Sequence, residues 1–149
     1  MVFDLFPELA PITVKNFADT ARSGFYNGLA WCRIVKDYVI QAGSPDNDIM
    51  TDSEQHIKGE FEENGIPNPI KHKRGALSMA RDDGYDTAGT QFFVVHRDAH
   101  KLDGRYAAFG EMVSGFEVLD AIAELPTFGA ATWNRPVDMP VITSIRIEE

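Results

Sequence analysis

Positive charge is scarce in this sequence. Fourteen Lys and Arg stand against 23 Asp and Glu, for a formal net charge of −9. Nucleic-acid binders need a basic face, so no nucleic-acid partner is expected. Cysteine is scarcer still: the single Cys32 excludes an intrachain disulfide and a cysteine-built zinc cage. No run approaches the ~20 apolar residues of a membrane span, and no basic stretch leads into an apolar one at Met1. A cytoplasmic protein with no membrane partner is expected. A Gly-rich phosphate loop is also missing. Of the four histidines, only His96 and His100 stand at i, i+4, just past a strand-like run where no helix is expected. They read as solvated loop residues, and no metal site is expected. Asp46, Asp48 and Glu54 resemble a calcium loop, but Thr51 sits where that loop requires glycine. Glu60, Glu62 and Glu63 read as a solvated acidic face. Cys32 lies among apolar neighbours and reads as a buried, inert thiol.

What is present suits one globular domain over residues 1–149. Hydrophobic residues make up 44% and charged residues 25%, too apolar for a disordered chain. Val2–Phe6 reads as a strand stopped by Pro7. Val14, Phe17, Ala18 and Ala21 recur at helical spacing, with Thr13 as the cap and Gly24 as the stop. Leu29–Val35 and Val39–Ala42 form a hairpin around Lys36-Asp37-Tyr38. Residues 43–68 make a long polar excursion, which in a compact domain suggests a functional loop. Strands are expected at 75–80, 90–95, 107–113 and 141–147. A short helix follows Gly115, with Val118, Leu119, Ile122 and Leu125 along one face. Short strands with two amphipathic helices suggest a β-barrel or sandwich with helical lids.

One strand residue is out of place. Arg33 lies in Trp31-Cys32-Arg33-Ile34-Val35, which carries no other charge. If Asp37 centres the hairpin, Val35 pairs with Val39 and Arg33 with Gln41. Arg33 and Gln41 then leave one sheet face about 5 Å apart, a donor fork beside an amide. Gln91 and Phe93, two apart, share a face, as a peptide-binding groove would show. Alternation cannot decide whether Phe93 or Phe92 faces the core.

These segments together resemble the cyclophilins. Residues 33–43, Arg-Ile-Val-Lys-Asp-Tyr-Val-Ile-Gln-Ala-Gly, are similar to the segment carrying that family's catalytic arginine. Gly75-Ala76-Leu77-Ser78-Met79-Ala80 followed by Gly89-Thr90-Gln91-Phe92-Phe93 resembles its second signature. Leu102-Asp103-Gly104 and Phe109-Gly110 complete it, and Ile57-Lys58-Gly59-Glu60-Phe61 resembles the compact bacterial branch. The resemblance runs from Val2 to the end of the chain. It implies an all-β fold with two helices, a closed eight-stranded antiparallel barrel. It implies peptidyl-prolyl cis-trans isomerase activity on X-Pro bonds, without a cofactor, by a monomer acting on proline-containing peptides and unfolded or partly folded proteins. A proline-peptide-binding module with weak or no catalysis is the alternative.

By the same resemblance, Arg33 stabilises a twisted prolyl amide and Gln41 positions it. Tyr38, Val39, Phe93 and Leu102 hold the proline ring, with Tyr106 at the rim. Ala80 and Gln91 floor the site for the preceding residue, and Arg81 contributes mainly backbone. Several positions depart from the family pattern: Cys32 for His, Tyr38 for Phe, Val39 for Met, Ala42 for Gly and Tyr106 for His. Lys101 stands where eukaryotic cyclophilins carry Trp, which implies weak binding of the cyclic peptide cyclosporin. The family's first strand has no counterpart here. Its absence is expected to leave the strand at Val2–Phe6 and the one at 141–147 with unpaired edges.

Overall fold

The computed structural model describes all 149 residues, Met1–Glu149. In chain order it contains β1 (Val2–Leu5), α1 (Pro11–Arg22), β2 (Trp31–Val35), β3 (Val39–Ala42), β4 (Ala76–Met79), β5 (Phe92–Val95), β6 (Ala108–Ser114) and α2 (Phe116–Ala123). The strands form one antiparallel sheet in the order β1-β6-β4-β5-β3-β2.

Side-chain alternation splits the apolar residues between two clusters. Ile40, Leu77, Phe92 and Val94 enter a main core of 20 buried residues, beneath α1 and α2. Their chain neighbours Val39, Ala76, Phe93 and Val95 join a separate cluster of six. Successive strand residues point to opposite faces, so the sheet separates the two clusters. Aromatic rings dominate the main core: Phe17 lies 5.3 Å from Phe92 and 5.1 Å from Phe109, centroid to centroid.

Helix α1 starts differently from expectation. Pro11 occupies its first turn and Ala10 is the cap residue, without a side-chain cap bond. Thr13 is instead a buried third-position residue. Its backbone N–H and its hydroxyl both donate to Glu60 Oε1, at 2.6 and 2.7 Å. A carboxylate 47 residues away thus supplies the acceptor that the helix N-terminus lacks. Glu60 is therefore only 2% exposed and no part of a solvated face, whereas Glu62 and Glu63 are exposed. The stop at Gly24 agrees with expectation: its φ is 81° and its N–H donates to the Ala21 carbonyl.

The barrel expectation is met in part. Six strands form rather than eight, and no hydrogen bonds join the edge strands β1 and β2 to close the sheet. Residues 141–147 do not make a strand. Val141 forms a single bridge with Ala30, and Trp31 N–H donates to the Pro140 carbonyl. Residues 143–149 form no backbone–backbone hydrogen bond, although Ile145 and Ile147 pack on the main core. Strand β1 likewise pairs on one side only, with β6. Alternating apolar residues at 142–147 report a half-buried chain; a strand also needs a partner edge.

The polar excursion contains a 3-10 turn at Glu62–Asn64 and a bridge from Ile57 to Ala88. It leaves β3 through Gly43, whose φ is 97° and whose Cβ would collide with the Thr90 carbonyl oxygen. Glycine is required there. The neighbouring Ala42 has no positive φ and is fully buried, so its methyl group is accommodated. No helix of the structure is long and apolar enough to cross a membrane.

Candidate active site

The β2–β3 hairpin sets the first two side chains. Asp37 adopts φ 63°, and Tyr38 N–H closes the turn onto the Val35 carbonyl at 3.0 Å. Val35 then pairs with Val39 and Arg33 with Gln41, in the register suggested above. His96 secures the turn from behind. Its Nδ1 accepts the Asp37 N–H at 2.9 Å, so Nε2 carries the proton and donates to Asp120 Oδ1 at 3.0 Å. His96 is thus a buried structural residue, contrary to the solvated reading, while His100 is exposed.

Strand pairing extends the row. Gln41 pairs with Phe93, and Phe93 with Ser78. Arg33, Gln41, Phe93 and Ser78 therefore form one transverse line across β2, β3, β5 and β4. Arg33 Nη1 donates to Gln41 Oε1 at 3.3 Å. Arg33 Nε is buried without any hydrogen-bond partner. Such a donor is costly to leave unpaired, and it stands ready for an acceptor brought by a ligand.

Beside this pair lies the smaller apolar cluster, which contains Val39, Phe93 and Leu102, with Tyr38, Ala80 and Tyr106 packed on it. Tyr106 meets Phe93 edge-on at 5.8 Å. Burial, and then the neighbouring Tyr106, raise the Tyr38 pKa, while Arg33 opposes them. The hydroxyl therefore stays protonated at neutral pH. Lys101 Nζ sits 4.4 Å from the centre of the Tyr38 ring. Six of the ten site residues expected from sequence meet in this patch. Gln41, Ala80, Arg81 and Gln91 line an adjoining polar cleft with residues 49–53. Arg81 is more committed than its backbone role suggested. Its guanidinium donates to the carbonyls of Arg105 and Asp82 and lies over the rings of Phe61 and Tyr106.

Two parts of the site were not among the expected residues. One is the cleft wall at residues 49–53, for which the length and polarity of the 43–68 excursion were the available signal. The other lies under Phe93. His72 is fully buried, with Nε2 2.8 Å from Ser78 Oγ and Nδ1 3.1 Å from Asp103 Oδ1, and its ring stacks on Phe93 at 6.0 Å. Burial lowers the His72 pKa, and Asp103 opposes it only in part. The folded state therefore favours neutral imidazole. As pH falls below the unfolded value of about 6.5, the unfolded chain takes up a proton that the native site resists, so stability declines. Imidazole NMR is expected to find His72 titrating below the ordinary imidazole range; titration at or above that range would contradict this assignment.

A hairpin arginine, its glutamine and an apolar patch thus meet on the face of the antiparallel sheet opposite the main core. The family described as cyclophilin type peptidyl-prolyl cis-trans isomerase matches residues 1–147. The chain belongs to that family and is a peptidyl-prolyl cis-trans isomerase. Peptidyl-prolyl cis-trans isomerase B of Bacillus subtilis is 44% identical over 115 residues, covering 77% of each chain. A Helicobacter pylori peptidyl-prolyl cis-trans isomerase is 40% identical over 126 residues, covering 83% of this chain and 74% of its own. Among solved structures, a Cryptosporidium parvum cyclophilin crystallised in the presence of the dipeptide Ala-Pro superposes with a TM-score of 0.88. It is 28% identical and covers 99% of this chain and 91% of its own.

Proposed function

We propose that Arg33 accelerates X-Pro isomerisation by donating to the prolyl nitrogen of a twisted amide. Amide resonance makes the uncatalysed rotation take tens to hundreds of seconds. Rotation through the perpendicular geometry returns the lone pair to nitrogen, which then becomes an acceptor. No bond breaks and no proton need transfer. A guanidinium is suited to this task because it is always charged and presents a planar fork. The unpaired Arg33 Nε beside an apolar patch is the observation that carries the reading.

In this reading Tyr38, Val39, Phe93, Leu102 and Tyr106 hold the proline ring. Ala80, Arg81 and Gln91 receive the residue before it, and Gln41 orients Arg33. The Ala-Pro dipeptide of the parasite cyclophilin's crystallisation supports an Xaa-Pro unit as the minimal ligand. Unfolded and partly folded chains expose such bonds, so assistance to folding is the proposed role. A protease-coupled assay on a short X-Pro peptide tests the reading directly. Binding without turnover would reduce the site to a peptide holder.

Lys101 bears on inhibitor binding. A mobile ammonium over Tyr38 replaces the indole anchor that the family resemblance associates with cyclosporin. An interface aromatic anchor is worth roughly 2 kcal/mol, about thirtyfold in affinity. Lys101→Trp is expected to tighten cyclosporin binding by that factor in a calorimetric titration. Equal affinities would remove Lys101 from the contact.

A further inference from the structure

We propose that Thr51 and Asp46 are positioning residues for the isomerisation, acting on Arg33 through Gln91 and Gln41. The inference rests on the role proposed above for Arg33.

Gln91 Nε2 donates to the backbone carbonyls of Ile49 and Thr51, at 3.2 and 3.1 Å. Carbonyl oxygens only accept, so the Gln91 amide must turn its NH2 toward the loop. Its Oε1 is then left facing Gln41 Nε2, which donates to it at 2.8 Å. With its own NH2 used, Gln41 presents Oε1 to Arg33 Nη1. Arginine has donors only. Were either glutamine reversed, Gln41 would oppose NH2 to guanidinium, and Arg33 would lose its anchor. Two loop carbonyls therefore decide, through two side-chain amides, that an acceptor faces Arg33.

The position of those carbonyls is itself built. Asp46 Oδ2 accepts the Thr51 hydroxyl at 2.9 Å, and Oδ1 accepts the Asp48 N–H at 3.1 Å. The Thr51 hydroxyl holds the Asp46 carboxyl below its usual range, so it remains an acceptor at neutral pH. Asn47, with φ 62°, accepts the Ala30 N–H at 2.8 Å. The loop is thereby pinned to the residue preceding β2, the strand that carries Arg33. Asp46 and Thr51 make no hydrogen bond to Arg33 and belong to neither apolar cluster; they set the direction of a polar chain that ends at Arg33.

The test is steady-state isomerisation of an X-Pro peptide by Thr51→Val and Asp46→Ala, with melting checked for each. Both are expected to lower kcat about tenfold with KM within about twofold, because ring binding is untouched. Thr51→Ser, which keeps the hydroxyl, is expected to restore the rate. The side-chain NH2 resonances of Gln41 and Gln91 are expected to shift in Thr51→Val and return in Thr51→Ser. Combined with Arg33→Ala, Thr51→Val is expected to cost nothing further, as residues in one network are non-additive. Wild-type kcat in Thr51→Val and Asp46→Ala, beside a slow Arg33→Ala, overturns the relay alone. A tenfold loss that persists on the Arg33→Ala background also overturns it. A fast Arg33→Ala enzyme overturns the reading on which the relay rests.

Discussion

Arg33→Ala is expected to melt like the wild type and to lose about 100-fold or more in kcat/KM. Removing one preorganised donor to charge that develops in the transition state typically costs ~10²–10³ in rate. The Arg33 side chain adds little to the cores: it belongs to neither apolar cluster, and its Nε is already unpaired. Truncation removes a group whose benefit appears only when the substrate amide twists. Arg33→Lys is expected to recover little, since an ammonium lacks the fork that spans Gln41 and a substrate nitrogen. Wild-type-like turnover in a folded Arg33→Ala protein would end the assignment.

Glu60→Ala is expected to cost about 3 kcal/mol of folding stability. The substitution leaves the buried Thr13 N–H and hydroxyl without their acceptor, and each orphaned group costs about 1–3 kcal/mol. It also removes a negative charge from the N-terminus of α1. Glu60→Gln keeps a side-chain oxygen for Thr13 and is expected to lose about 1 kcal/mol, the difference between a charge-assisted and a neutral bond. Urea denaturation of the two variants checks the order. A loss below 1 kcal/mol in Glu60→Ala would mean that water replaces the carboxylate.

The hairpin was legible from sequence because a short turn centred on Asp37 leaves one register, and the observed Arg33–Gln41 pair follows from it. Phe93 was not legible from alternation, since Phe92 and Phe93 are equally apolar and both faces of β5 are buried. Only the family resemblance placed Phe93 at the site. Glu60 and His96 were misread for a common reason. Their partners, Thr13 and Asp120, lie 47 and 24 residues away, and local composition carries no trace of them. The Gln91–loop contacts have the same character: side chain to backbone, across 40 residues or more. Charge counts find surfaces well, but a charge that satisfies a distant buried donor looks the same in sequence as one in water.

The sheet that divides the two apolar clusters also separates two kinds of selection. Twenty residues on one side form the main core, and six on the other form the smaller cluster on which Tyr38 and Tyr106 pack. On the roles proposed above, substitutions at Tyr38, Val39 or Tyr106 change which peptides are handled while the main core remains intact. Tyr38 and Tyr106 are only half-buried, so changes there meet fewer packing constraints than changes at Phe92 or Phe109. This arrangement recommends the face opposite the main core as the place to begin directed evolution.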